Sequence, residues 1–221
     1  MKAKSTDNDT INPDEIKKQS EAIIIKAGGE ILDWLPTREP TKTRSINEII
    51  KRALVLNAMY ELHMKAPKPI IKQWLSDNNL IDELTTTESS ILNSPSDELT
   101  DEENVNLYWS LDALWAIVWA TSLIEDLGFD QPIGDELASL SPNLKLNEGG
   151  HKYVDNMQLR SDKSLYEMRD LYYRVHWWVK EASRNDTVPD NISYGSVIER
   201  RKALEWIVDC EAEWECVDLA T

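Results

Sequence analysis

One segment of the chain is apolar on nearly every side of a predicted helix, and this feature constrains the fold most. Thr100 and Glu103 form a capping-box pattern, which predicts that a helix begins at residue 101. From Leu111 to Ile124 this helix carries apolar residues nearly all round. A helix of that kind has to be covered by neighbours on several sides. We therefore predict an all-α fold, a single-domain helical bundle around a buried central helix at about 101–127.

Start signals of the same kind predict the helices around the central one. Three of them are predicted to pack on it, namely those opened by capping boxes at Ser45 and Ser164 and a last helix at about Tyr194–Asp209. Asn12 followed by Pro13 predicts a first helix, which ends at a pair of glycines. The shorter predicted elements are helices at about 70–75 and 86–93, and loops with one short helix at 129–158.

Two N-terminal segments are predicted not to form helices. Residues 1–11 are polar and are predicted to form a disordered tail, which leaves 12–221 as a single helical domain. Residues 30–43 contain Pro36 and Pro40 after a short apolar group. Because proline interrupts helices and sheets, we predict an irregular N-terminal arm there, packed across another helix and including at most a short strand.

Acidic residues are concentrated in one third of the chain. Residues 73–144, which we call the acidic segment, contain fifteen Asp and Glu and no Lys or Arg, and they carry nearly all of the net charge of −16. This charge argues against nucleic acid as a partner, because phosphate binding depends on basic residues. It fits either a solvated surface or a docking face for a basic protein. A divalent cation site is a third interpretation, although the segment has no Asp-rich calcium loop.

Sequence signals for catalysis, cofactors and membranes are absent. The chain has no glycine-rich phosphate loop and no nucleophile elbow, and its three histidines do not pair at metal-binding spacing. Cys210 and Cys216 match neither zinc nor redox spacing. The N-terminus has no apolar signal region, and the longest apolar run is too short to cross a bilayer. We predict a cytoplasmic protein without metal, cofactor, membrane contact or catalytic residue, and we expect His176 to be a core or surface histidine.

Ionisable residues in apolar surroundings are the candidates for a binding site. Asp112 lies among tryptophans, where an unpaired carboxylate is costly to bury. Asp170 and Arg174 are four residues apart on one predicted helix and can pair. The proposed network joins three acids and three arginines between aromatic walls, and its members are Asp112, Asp170, Glu199, Arg160, Arg174, Arg200, Trp109, Tyr173 and Trp177. It is interpreted either as a structural network that sets helix register or as a pocket whose arginines hold a small anion.

Several short motifs occur in an order that is typical of one bacterial family. They are Leu35-Pro36, Arg44-Ser45, Arg52-Ala53-Leu54, Asp112-Ala113-Leu114-Trp115, Asp170-Leu171-Tyr172-Tyr173-Arg174 and Glu199-Arg200. With these motifs the chain resembles the family called domain of unknown function 4272 over about residues 16–221. The resemblance implies a helical fold without an assigned activity, so it transfers no catalytic residue. The chain departs from the family pattern at Ser110-Leu111-Asp112, where the family has Arg-x-Glu.

Three functions are consistent with these features. The first is a non-catalytic interaction protein, for example of the immunity or antitoxin kind, that docks a basic partner on the acidic segment. The second is a small-anion-binding or enzymatic domain built on the arginine–carboxylate network. The third is a self-associating protein, a homodimer with tryptophans at the interface. We rank them in that order, which places an enzyme below an interaction protein.

Overall fold

The central helix of the fold, α5, spans Asp101–Ala120 in the computed structural model, which describes residues 10–96 and 98–221. Its N-cap Thr100 forms the predicted capping box with Glu103. Every residue from Asp112 to Ala120 is buried, including Trp115 and Trp119. No strand occurs in the described residues, so the predicted all-α fold around a buried central helix is confirmed.

Short helices and turns connect the longer helices of the described chain. The α-helices are α1 (Pro13–Lys26), α2 (Ile46–His63), α3 (Lys68–Asp77), α4 (Thr86–Asn93), α5, α6 (Leu137–Leu140), α7 (His151–Val154), α8 (Asp162–Arg184) and α9 (Tyr194–Val208). Single 3-10 turns lie at Ile81–Glu83, Leu144–Leu146 and Trp214–Cys216. Of the described helices, none combines the length and the apolar composition that crossing a membrane requires.

Helix α5 lies between α2 and α9, which make its most extensive contacts. Helix α8, which was also predicted to pack on α5, makes its extensive contacts with α9 and α1 instead. The amphipathic pattern of α8 predicted that one face is buried but did not identify the helix that covers it. The fold is therefore layered, in the order α2, α5, α9, α8 and α1.

The central helix is shorter than the predicted 101–127. It ends at Ala120, where Ser122 adopts a left-handed conformation with φ of 62° and the Leu123 amide donates to the Val118 carbonyl at 2.9 Å. Ile124 and Leu127 remain buried although they are not helical. The apolar run therefore predicted burial correctly, but its residues after Ala120 are not helical.

The start of α8 also differs from the prediction. Ser161, not Ser164, is the N-cap, because its side chain accepts from the Ser164 amide at 3.2 Å. The Ser164 amide is therefore the donor of the capping hydrogen bond, whereas the sequence pattern had predicted Ser164 as the cap residue itself. The capping box at Ser45 occurs as predicted, and a further capping box at Thr85 opens the predicted helix at 86–93.

The irregular arm at residues 30–43 contains no strand and lies across α8 and α9. Its carbonyls accept hydrogen bonds from α8, as the Arg38 carbonyl does from the Tyr166 hydroxyl. The following Arg44 amide donates to the Ile207 carbonyl at 2.8 Å, and the Lys42 carbonyl accepts from the Cys210 amide at 2.9 Å. Most of the predicted disordered tail, residues 1–9, lies outside the described residues, and positions 10 and 11 precede α1 without regular structure.

Candidate functional site

A cleft of about 820 Å³ lies beside the middle of α5. Four segments line it: the end of α2, the α5 residues around Trp109, the loop at 129–145, and residues 190–196 at the start of α9. This volume falls in the range of small-molecule and peptide pockets. The cleft is therefore the first place to test for binding.

One wall of the cleft belongs to a continuous group of aromatic rings. Tyr60 stacks on His63 with centroids 5.4 Å apart, and His63 lies 5.5 Å from Tyr108. Tyr108 then contacts Trp109 edge to face at 5.1 Å. Trp109 lies so close to Gly195 that a Cβ atom there would come within 2.8 Å of the ring. The first turn of α9 therefore fixes the position of the indole.

The charged residues that line the cleft are mostly acidic. They are Glu61, Asp112, Asp135 and Asp190, against the single described lining base Lys145. Burial raises the pKa of Tyr60, and the neighbouring Tyr108 and Glu61 raise it further. Aromatic ring faces also carry partial negative charge. The cleft consequently favours cations over anions.

Asp112 forms a buried ion pair with Arg200 below this acidic lining. Nε of Arg200 donates to Oδ1 of Asp112 at 2.8 Å, and Nη2 lies 2.8 Å from the same oxygen without hydrogen-bond geometry. Nη1 donates to the carbonyls of Gly128 and Gln131 at 2.8 and 2.9 Å. Burial raises the pKa of Asp112, whereas Arg200 and a hydrogen bond from Ser196 oppose that shift.

The pair Asp170 and Arg174 lies on α8, away from the cleft lining. Nε and Nη2 of Arg174 each donate to one carboxylate oxygen of Asp170 at 2.9 Å. The same guanidinium donates to the carbonyls of Leu35 and Pro36 at 3.3 Å, which ties the arm to α8. Trp177 lies beside Arg174 at a cavity of about 10 Å³, enough for one water molecule at most.

The other three predicted residues lie at separate places. Arg160 donates to the carbonyls of Trp119 and Ile124 at 2.7 Å, so it caps the carboxyl end of α5. Glu199 lies 3.9 Å from Lys202, and burial raises its pKa while the attraction of Lys202 lowers it. Tyr173 lies under the guanidinium of Arg201, 5.0 Å from its ring centroid. The predicted set is therefore divided among several contacts and does not form one network.

Sequence reasoning missed a second buried ionic cluster between α8 and α9. Glu205 accepts from Nε of Arg169 at 2.7 Å and from Arg201 at 3.4 Å. Arg201 also contacts Nδ1 of His176 at 2.6 Å. The available signal was the i, i+4 spacing of Arg201 and Glu205, with Glu205 placed between the apolar Leu204 and Trp206. His176 is buried, which is the first of the two expected positions, core or surface.

Most residues that line the cleft were also missed. Tyr60, Glu61, Asp135 and Asp190 come from segments that are distant in sequence, and each has an ordinary local context. The glycines and prolines of residues 129–150 predicted a loop but not its contact with α2 and α9. Within the described residues, no group of three His, Cys, Asp or Glu side chains is placed to hold a metal ion.

The fold and these contacts define an all-helical domain whose buried arginines pair with carboxylates and main-chain carbonyls. The chain belongs to the family described as a domain of unknown function, DUF4272, whose model matches residues 17–217. The resemblance found in the sequence is thereby confirmed. No curated protein and no solved structure matches the chain.

Proposed function

We propose that the protein is a cytoplasmic bacterial interaction protein that docks a basic partner protein. The observation that carries the proposal is the cleft at α5, whose lining combines aromatic rings with Glu61, Asp112, Asp135 and Asp190. Complementary charge accelerates association and selects among partners. The aromatic rings add contact area of the kind that dominates the energetics of protein interfaces.

The exposed surface of the acidic segment supports the same partner chemistry. Ten acids of the acidic segment are exposed: Asp77, Asp82, Glu98, Asp101, Glu102, Glu125, Asp126, Asp130, Asp135 and Glu136. Glu88 and Asp112 are the buried acids of its described part, and each pairs with an arginine. The exposed carboxylates therefore extend the negative potential beyond the cleft, where it can attract a basic protein before contact.

A small anion is a poorer match for the same site. Binding an anion would need arginine N–H groups directed at a cavity. Instead, Arg160 donates to the end of α5, Arg174 to Asp170 and the arm, and Arg200 to Asp112 and two carbonyls. An anion would have to displace these bonds and would also meet the carboxylates of the cleft. For this reason we place the basic partner first.

A pull-down from source cells tests the proposal, with the purified full chain as bait. We expect one stoichiometric basic protein at low salt that is lost near 0.5 M salt, where the Debye length is roughly 4 Å. An unrelated acidic protein of similar net charge serves as the control bait and should not retain it. Capture of no basic protein, or equal capture by the control bait, would contradict the proposed function.

A further inference from the structure

We propose that the cleft at α5 receives one arginine side chain of the basic partner, which stacks on the aromatic wall beside the carboxylates of Glu61, Asp135 and Asp190. This proposal rests on the proposed function, because the arginine belongs to the docking protein. It goes further by assigning the binding site, the ligand group and the residues that recognise it.

Three lining carboxylates are available for a cation. None of the ion pairs within the described chain involves Glu61, Asp135 or Asp190. Glu61 is half-buried, and the two aspartates are exposed at the rim. Glu21 and Glu88, by contrast, lie near arginines. An incoming cation therefore meets acceptors that are not already neutralised.

The floor of the cleft is polar but is already balanced in charge. Asp112 is neutralised by Arg200, so it does not compete with the rim for a second cation. Nη1 of Arg200 is held by the carbonyls of Gly128 and Gln131, and Gln131 itself lines the cleft. The attraction for a cation accordingly lies at the rim carboxylates and the ring faces, above the ion pair.

The aromatic wall favours a guanidinium over an ammonium group. Tyr108 is half-exposed, and Tyr60 and Trp109 line the same cleft. A planar guanidinium stacks on such rings and donates to carboxylates at its edge, whereas an ammonium is a compact and strongly hydrated charge. A flat cation stacked on these rings would keep its N–H edge free to donate to carboxylates that line the same cleft. Arginine is thus the side chain that can both stack on the aromatic rings and donate hydrogen bonds to the carboxylates.

Gly195 sets the position of this wall. A Cβ atom at Gly195 would lie 2.8–2.9 Å from three ring atoms of Trp109, so alanine there would force the indole to move. Gly195→Ala therefore changes the shape of the site without changing its charge. Lys145 offers the opposite change, since Lys145→Gln removes the lining cation and keeps the shape. Together the two variants separate packing from charge in the cleft.

The test titrates three capped peptides into the full chain and follows the Trp109 indole N–H by NMR. The peptides are identical except for a central arginine, lysine or citrulline, the last being an uncharged analogue of arginine. We expect the arginine peptide to bind at least about tenfold more tightly than the citrulline peptide and several-fold more tightly than the lysine peptide. Assignment of the indole signal comes from Trp109→Phe.

Variants then locate the site. Glu61→Gln with Asp135→Asn, and separately Gly195→Ala, are expected to weaken arginine-peptide binding by about fivefold or more, whereas Lys145→Gln strengthens it about twofold. Asp82→Asn with Asp126→Asn removes the same charge outside the cleft lining and should leave affinity within about twofold. Thermal unfolding of every variant confirms that it is folded.

The outcomes distinguish the two proposals. Equal binding of arginine and citrulline, or equal losses in the cleft and control variants, overturns the cleft assignment. Binding of lysine as tight as that of arginine overturns the stacking argument. If the pull-down yields a basic partner that the Glu61 and Gly195 variants still bind normally, the proposed function stands and the arginine site is wrong. If the arginine peptide binds in the cleft but no basic protein is captured, the proposed function fails instead.

Discussion

Arg200 and Arg201 are adjacent in α9 and are the largest fully buried side chains of the described chain. They point in different directions, Arg200 towards Asp112 in α5 and Arg201 towards Glu205 and His176. A buried guanidinium is tolerated only when its donors are matched by charged or carbonyl acceptors. Each of these arginines therefore depends on a few acceptors. The change in unfolding free energy on removing one of them can be predicted.

Asp112→Ala would leave Arg200 buried without its carboxylate. We expect the free energy of unfolding to fall by about 2–4 kcal/mol, since the remaining charge is uncompensated. Asp126→Ala, at an exposed position, should change it by less than about 0.5 kcal/mol. Urea denaturation at pH 7 measures both variants. A loss below about 0.5 kcal/mol for Asp112→Ala would show that the pair with Arg200 contributes nothing to stability.

His176 predicts a pH dependence of stability. Burial, with the nearby charges of Arg201 and Lys180, lowers its pKa to about 4. Between pH 6.5 and pH 4 the unfolded chain binds a proton that the folded chain does not, so stability present above pH 6.5 is lost as the pH falls. The loss from this group is on the order of 3 kcal/mol.

His176→Asn should remove that part of the pH dependence, because an amide can accept from Arg201 but does not titrate. Urea midpoints of the wild type and the variant, measured from pH 7 to pH 4, should therefore converge as the pH falls. His151→Asn, at an exposed site, is the matched control. Parallel pH profiles for the wild type and His176→Asn would contradict the assignment.

Sequence reasoning found buried polar residues but not their partners. Asp112 and Asp170 were selected because their neighbours are apolar, and both are buried in ion pairs. The i, i+4 spacing predicted the pairing of Asp170 with Arg174. The partner of Asp112 is 88 positions away, so only the packing of α9 on α5 determines it.

At the scale of helices, starts were easier to predict than ends. A start is determined within four residues, as the capping boxes at Ser45, Thr85 and Thr100 demonstrate. The end of α5 depends on Arg160, which lies 40 positions further along the chain. Its side chain and its backbone amide donate hydrogen bonds to the last carbonyls of the helix. Local sequence contains no signal for such a cap, and therefore the predicted end was seven residues too late.

The start of α8 provides a matched pair of variants. Ser161→Ala removes the side chain that accepts from the Ser164 amide, so we expect a loss of about 1 kcal/mol in unfolding free energy. Ser164→Ala lies within the first turn and should cost less than about 0.5 kcal/mol. Chemical denaturation of both proteins decides between the two N-caps. The reverse ranking would place the cap at Ser164, as the capping-box pattern had suggested.

At the scale of the whole molecule, the cleft is a product of tertiary packing. Its lining comes from α2, α5, the loop at 129–145 and the start of α9, which are contiguous only in the folded chain. The sequence predicted that the central helix is buried and that Trp109 lies near a candidate site. It could not predict that Glu61 and Asp190 line the same cleft, because neither belongs to a periodic hydrophobic pattern or to a sequence motif. For the same reason the sequence left the arginine network open between a structural network and an anion pocket, since its charges were visible and its carbonyl acceptors were not.

The net charge of −16 predicts how the stability of the whole molecule responds to salt. Like charges repel in the compact state, and the Debye length falls from about 30 Å at 0.01 M to about 8 Å at 0.15 M salt. We therefore expect the urea midpoint to rise as NaCl increases over this range. Buried pairs such as Asp112 with Arg200 are screened little and should not reverse the trend.

Two variants with opposite charge changes make this expectation specific. Asp82→Asn with Glu136→Gln removes two exposed negative charges, so it should raise the low-salt midpoint and flatten its rise with salt. Lys18→Gln removes an exposed positive charge and should do the reverse. Each change is expected to be within about 0.5 kcal/mol at low salt and to shrink at 0.3 M NaCl, because the screened interactions act over the whole surface. A midpoint that is independent of salt in all three proteins would mean that local ion pairs offset the excess charge, and that the acidic surface exerts too weak a field to attract a basic partner at a distance.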